Sequence, residues 1–208
     1  MRYIITTPWW LKLGFPKGLT WELPTTEKVI YFTFDDGPHP EATTFVLDEL
    51  KKFNAKATFF CIGKNVQQYT EIYKRILLEG HRTGNHTQNH LNGWRTDETI
   101  WLNDVKEATH WIGSDLFRPP YGKVNRFCAK VLQQAAPPFR IIMWNVLSAD
   151  FDVSKTGNQC FENVRRNGKE GSIVVFHDSE KAFPRLKEAL PKSLEHFAEQ
   201  GFQFKSIS

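Results

Sequence analysis

Four short segments carry residue types that core packing does not require. Asp35 and Asp36 follow the β-branched and aromatic run Val29 to Phe34 and precede Gly37-Pro38. Adjacent carboxylates at the end of a buried strand suit metal ligation or general-base work, with a simple turn carboxylate as the plain alternative. His86 and His90, in Asn85-His86-Thr87-Gln88-Asn89-His90, stand at i and i+4. On a helical turn that spacing puts two imidazoles on one face. With a carboxylate from elsewhere they make a two-His, one-acid donor set that leaves positions open for water and substrate. Taken alone, the pair reads more simply as two surface residues. In Arg118-Pro119-Pro120-Tyr121-Gly122 the prolines fix the chain, so Arg118 is presented from a rigid turn, suited to pairing with a carboxylate. His177 ends the apolar run Ile173 to Phe176, where a side chain titrating near neutrality can give a proton.

The elements that must position these groups alternate along the chain. Buried-strand patterns cover residues 29–34, 57–62, 82–85, 141–146, 172–176 and 202–205, with a short one at Phe117. Helical spacing recurs between them, at 46–53, 66–77, 96–111, 124–135 and 184–199. Strands alternating with helices argue for parallel βαβ units. About seven strands fit a small or incomplete (β/α) barrel better than a full eight-fold one, and in such folds the strands' C-terminal ends carry the chemistry. Residues 1–28 lack the alternation and are expected to form an extended cover over a single catalytic domain spanning residues 1–208.

Composition narrows the function classes. The net charge of +4 comes from scattered Lys and Arg interleaved with acids, which gives nucleic-acid binding little support. Cys61, Cys128 and Cys160 form no CxxC and read as buried free thiols, favouring a reducing compartment. Met1 to Trp10 shows no sustained apolar stretch and no small-residue cleavage site, and no later segment is long enough to span a bilayer. Those features point to a cytoplasmic protein and leave unconventional export open; they assign no oligomeric state. Trp9, Trp10 and Trp94 could stack on sugar rings, with packing as the expectation.

Taken in order, Thr-Phe-Asp-Asp-Gly-Pro, His-Thr-x-x-His, Arg-Pro-Pro-Tyr-Gly and a strand ending in His-Asp resemble the polysaccharide deacetylases of carbohydrate esterase family four, the group related to nodulation chitooligosaccharide deacetylase. The similarity runs from about residue 28 to the end. It implies an α/β fold, a distorted, incomplete (β/α) barrel of about seven parallel strands. It also implies a hydrolase that removes N-acetyl groups from N-acetylglucosamine-containing polysaccharide or oligosaccharide such as peptidoglycan or chitooligosaccharide. By the resemblance, Asp36, His86 and His90 hold a divalent metal, most simply Zn²⁺, with Co²⁺ or Ni²⁺ as alternatives. Asp35 is the general base, Arg118 orients it, Tyr121 lends its backbone N–H to the oxyanion, and His177 is the general acid tuned by Asp150. The fourth motif departs from the family's Asp-x-x-Asp-Trp: Leu147 replaces the first acid and Phe151 the Trp. Phe151 and Val175 are then expected to wall the acetyl methyl. This departure keeps O-acetyl esterase activity on xylan-type glycans open. A catalytically silent carbohydrate-binding protein is the further rival, disfavoured because every reactive residue is present.

Overall fold

The computed structural model describes residues 3–208. After a short helix α1 (Trp9–Lys12) come β1 (Val29–Asp35), α2 (Ala42–Lys52), β2 (Thr58–Cys61), α3 (Gly63–Gln68), α4 (Thr70–Leu78) and β3 (Arg82–Asn85). There follow α5 (Glu98–Ala108), β4 (Leu116–Phe117), a 3₁₀ turn (Pro120–Gly122), α6 (Arg126–Gln133), β5 (Arg140–Ile141) and β6 (Val146–Leu147). Helix α7 (Gly157–Asn167), β7 (Ile173–His177), α8 (Phe183–Glu199) and β8 (Gln203–Phe204) complete the chain. Seven strands lie in the order β5-β4-β3-β2-β1-β7-β6, every pair parallel, and β8 adds beside the start of β1. Because the edge strands β5 and β6 do not pair with each other, the sheet curls into a half-barrel rather than closing.

Strand periodicity decides which residues face which layer. Ile30, Phe32 and Phe34 of β1 join Val174 and Phe176 of β7 in an outer core shared with α2, α7 and α8. The alternate residues face inward, where Phe60, Leu116, Ile142 and Ile173 fill the half-barrel. Thr33, Asp35, Val175 and His177 belong to that inward set, with Thr33 level with Val175 and Asp35 level with His177. Helices α5 and α6 cover the other flank through Trp101, Val105, Cys128 and Leu132. All three cysteines are buried and unpaired. Among the described residues, no helix is long and apolar enough to cross a membrane.

Three local expectations need correction. The run 141–146 is two short strands, because its middle leaves the ladder: the Ile142 and Met143 carbonyls accept instead from Arg118, and the Met143 N–H donates to Thr20. The helical run 66–77 breaks at Tyr69, which takes a non-helical φ of −121° and ψ of 49° between α3 and α4. Trp9, Trp10 and Trp94 are 73, 56 and 56% exposed rather than packed. The four-residue α1 buries none of its side chains, and Trp94 is pinned from its edge by an Nε1–H bond to the Val124 carbonyl.

Gly84 on β3 is a point of close approach: a Cβ there would lie 2.5 Å from the Phe60 ring, which in turn faces the Arg118 guanidinium at 4.0 Å. Overpacking of this kind costs about 1–3 kcal/mol. Gly84→Ala should therefore lower the urea midpoint by a corresponding amount at unchanged m-value, measured by circular dichroism.

Candidate active site

The groups singled out in the sequence meet on one level of the half-barrel. Asp35 and His177 are register partners on adjacent strands, and Asp35 is level with Phe60 on the other side. Cys61 pairs with Asn85 and Asn85 with Phe117, so His86 and Arg118 each leave their strands at the same height. Parallel strands aligned in this way place five chain segments at one rim.

Arg118 has no solvent exposure and Asp35 is 4% exposed. Arg118 Nη1 donates to Asp35 Oδ1 at 2.7 Å and to Thr33 Oγ1 at 2.7 Å, while Nε and Nη2 donate to the Ile142 and Met143 carbonyls. Four of the five guanidinium N–H groups are thus engaged and the Asp35 carboxylate is held in one orientation. The same residue acts through its main chain, since the Arg118 carbonyl accepts from His86 Nδ1–H at 2.7 Å. With Nδ1 donating, His86 presents its Nε2 lone pair. Burial pushes that imidazole down to about 4, so it is neutral at physiological pH.

His86 Nε2 and His90 Nε2 lie 3.7 and 3.2 Å from Asp36 Oδ1. One donor atom from each of the three residues falls within 4.8 Å of the others. Asp36 Oδ1 is buried yet accepts no hydrogen bond. An orphaned carboxylate oxygen between two imidazole nitrogens is what a divalent cation would complete, and a two-His, one-carboxylate set suits Zn²⁺ or a neighbouring transition metal. Burial alone would raise the Asp36 carboxyl, but the imidazoles of His90, His177 and His86 hold it well below the usual carboxylate range.

The histidines do not sit on a helical turn. They flank a loop after β3 in which Thr87 and His90 adopt left-handed φ values of 64° and 59°. Asn85 Oδ1 accepts from the Thr87 N–H and Thr87 Oγ1 from the His90 N–H, and these local bonds, rather than helical ones, bring the rings to 5.0 Å between centroids. Tyr121, also left-handed at φ 59°, lays its half-exposed ring 4.6 Å from that of His90.

Opposite, Asp150 is fully buried; its Oδ1 accepts from His177 Nδ1 at 2.7 Å and its Oδ2 from the His177 main-chain N–H at 2.8 Å. Burial would lower the His177 imidazole, but the Asp150 carboxylate outweighs it and raises the group to about 9. Phe151 meets the His177 ring edge-on at 5.3 Å and is backed by Tyr3 at 5.2 Å. Val175 is buried two residues below His177 and level with Leu147.

Sequence reasoning missed the residues that hold these groups in place. Asn65 Nδ2 donates to the Asp36 carbonyl at 2.8 Å. Asp178 accepts from the Gly37 N–H and from Thr43 Oγ1, and burial pushes its carboxyl well above the usual range. A Cβ at Gly37 would come within 2.0 Å of Asp178, so only glycine fits there. Arg185 Nε donates to the Asp150 carbonyl at 2.6 Å. Arg185 and Asp104 could have been noticed as charges on the apolar stripes of α8 and α5; Asn65 and Thr43 carry no such signal. His39 is remote from this work, its Nδ1 accepting from the Glu41 and Ala42 N–H groups at the start of α2.

A curled parallel half-barrel with acids, imidazoles and a buried guanidinium at its strand ends is an α/β scaffold suited to hydrolytic chemistry, and comparison with known proteins makes it specific. The polysaccharide deacetylase family model matches residues 22–137. A peptidoglycan-N-acetylglucosamine deacetylase of Bacillus cereus is 37% identical over 200 residues, covering 93% of each chain. A chitooligosaccharide deacetylase of Azorhizobium caulinodans is 32% identical over 169 residues, 77% of this chain and 79% of that one. The crystal structure of the Bc1960 peptidoglycan N-acetylglucosamine deacetylase, in complex with 4-naphthalen-1-yl-N-oxidanyl-benzamide, superposes with a TM-score of 0.82 at 29% identity, covering 91% of each chain. The chain belongs to the polysaccharide deacetylase family.

The Arg118–Asp35 pair gives a direct stability test. Arg118→Met would leave a buried carboxylate and two buried carbonyls without their donor, which costs about 3–5 kcal/mol for the broken ion pair. Denaturant unfolding should register a loss of that size.

Proposed function

We propose that this deacetylase removes N-acetyl groups from N-acetylglucosamine-containing glycan of the peptidoglycan or chitooligosaccharide kind, releasing acetate and leaving a free amine. The observation that carries the reading is the orphaned Asp36 Oδ1 between His86 and His90, with a clamped carboxylate on one side and a protonated imidazole on the other. Asp36, His86 and His90 would hold the divalent metal, with Zn²⁺ the first choice. When bound, the ion supplies Lewis acidity, polarising the amide carbonyl and making water acidic enough to lose a proton near neutrality.

The chain's own residues perform the proton transfers. Asp35 accepts the proton of the attacking water, and Arg118 keeps that carboxylate aimed. The Tyr121 N–H donates to the developing oxyanion, a contribution of about 3 kcal/mol for one well-placed donor. His177 gives its proton to the departing nitrogen, without which an amine is a poor leaving group. Asp150 keeps that proton in place up to about pH 9. Phe151 and Val175 wall the acetyl methyl. Phe151 where the family has Trp, and Leu147 where it has an acid, leave room for a second reading in which the same machinery cleaves O-acetyl esters of xylan-type glycans.

Acetate release from chitooligosaccharides and from N-acetylated peptidoglycan fragments, by zinc-loaded and chelated protein side by side, tests the reading. Release should stop on chelation and return with zinc. Acetate from acetylated xylan alone would transfer the assignment to the esterase reading, and none from any substrate would sink both. Asp35→Asn should lower kcat about 10²–10⁴-fold, the usual worth of a general base, with metal content unchanged. Loss of metal instead would exchange the roles of the two acids.

The pH profile follows from the His177–Asp150 pair. His177 is charged below about 9 and loses its proton as the pH rises through that value, so kcat/KM should fall on that alkaline limb. Asp150→Asn removes the carboxylate that raises the group, and the limb should move to lower pH. An unmoved limb would remove His177 as the acid.

A further inference from the structure

We propose that Asp104 on α5 is the positioning residue of the donor loop Asn85–His90, holding His90 against Asp36 and so setting the affinity of the site for a divalent metal. The inference rests on the metal-site reading above.

Asp104 lies on the buried stripe of α5, among Trp101, Val105 and Ala108, and is 5% exposed. A carboxylate there pays a desolvation cost with no return unless its oxygens are fully engaged. Both are engaged, and only by the loop. Oδ2 accepts from the Asn89 main-chain N–H at 3.0 Å and Oδ1 from Asn89 Nδ2 at 2.6 Å. The main chain of the same turn continues the clamp: the Asp104 carbonyl accepts from the Gln88 N–H, and the Val105 carbonyl from Asn85 Nδ2. From the opposite side the first turn of α3 donates, Gly63 N–H to the Thr87 carbonyl and Lys64 N–H to that of Gln88. The loop is therefore gripped between acceptors on α5 and donors on α3.

That grip has work to do. Thr87 and His90 are non-glycine residues at φ 64° and 59°, conformations that each cost roughly 1–3 kcal/mol and persist only where the surroundings over-determine them. Asn89 is the residue immediately before His90, and Asp104 is the only side chain among the described residues that bonds it. Without the clamp the loop is free to relax towards ordinary backbone angles, which moves His90 Nε2 away from its 3.2 Å approach to Asp36 Oδ1. A group that orients a metal ligand in this way typically contributes about 10–100-fold in metal affinity.

The test measures zinc affinity by competition with a chromophoric chelator, and the visible spectrum of the Co²⁺-loaded protein, on the full chain. Wild type and His90→Ala provide the references. Asp104→Asn preserves shape but replaces an acceptor oxygen by an NH₂ group; it should weaken zinc binding about 10–100-fold, alter the Co²⁺ spectrum, and regain activity at saturating zinc. Asn89→Ala touches only an exposed side chain, so its folding is not in question, and it should shift zinc affinity in the same direction by a smaller factor. Wild-type affinity and spectrum in both variants would overturn the inference. Should Asp104→Asn fail to fold, Asn89→Ala decides alone: weakened zinc binding supports the clamp and unchanged binding overturns it. Wild-type protein that binds zinc no better than His90→Ala would mark instead the failure of the metal-site reading, and this inference would fall with it.

Discussion

A guanidinium shut away from water is tolerated only when its donors are met, and the way Arg118 meets them organises the whole site. Its side chain reaches Asp35, Thr33 and two carbonyls of the 142–143 segment, and its ring-facing side lies against Phe60. Each of those contacts has a structural price. The 142–143 carbonyls serve Arg118 rather than a neighbouring strand, in the segment that runs between β5 and β6 at opposite edges of the sheet. The Arg118 carbonyl at the same time fixes the tautomer of His86. One residue therefore orients the candidate base through its side chain and a candidate metal ligand through its backbone.

The remaining geometry follows from strand register. In a parallel sheet neighbouring strands stand about 4.8 Å apart, and Asp35 and His177 face each other at one level on β1 and β7. The proposed base and the proposed acid, on adjacent strands, need no further device to flank a common substrate. What they do need is opposite charge states. Asp35 is held by the buried Arg118 guanidinium, while the buried Asp150 carboxylate raises the His177 imidazole. The two pairs, Arg118–Asp35 and Asp150–His177, are mirror solutions to one electrostatic problem, each pairing a reacting group with a charge that has no access to solvent.

The residues that meet at the rim were legible in the sequence, because acids, imidazoles and an arginine at the ends of apolar runs contradict the local pattern. The order of strands and helices was legible for the opposite reason: their periodicities agree with it. What escaped was the support. Asp104 and Arg185 leave a trace, a charge within the stripes Trp101, Val105, Ala108 and Leu186, Ala189, Leu190. Asp178 closes the last motif, which gives it no task, and Asn65 and Thr43 leave no trace, since polar residues near helix starts are ordinary. The helical turn inferred for His86 and His90 failed for a related reason. Spacing of four residues is consistent with a helix, but the loop reaches the same proximity through side-chain bonds from Asn85 and Thr87, which no periodicity records.

Backbone strain ties these layers together. Apart from Asn54 after α2, every non-glycine residue with left-handed φ among the described residues borders the site: Asp36, Thr87, His90, Tyr121 and Ala149. Most of them have a polar partner at hand that would be wasted anywhere else, Asn65 on the Asp36 carbonyl, Asn85 on Thr87, Thr87 on His90, and Arg185 on the carbonyl following Ala149. Strain of this sort survives only when such partners outnumber the ways to relax it. The stability of the half-barrel, carried by its three aromatic-containing cores, is what lets the rim hold so many unfavourable backbone angles at once. The rim in turn gains side chains aimed at a common point rather than laid along the surface. The fold's contribution to catalysis is thus less the supply of reactive groups, which any loop could carry, than the rigidity that keeps two buried ion pairs and three donor atoms in fixed relation.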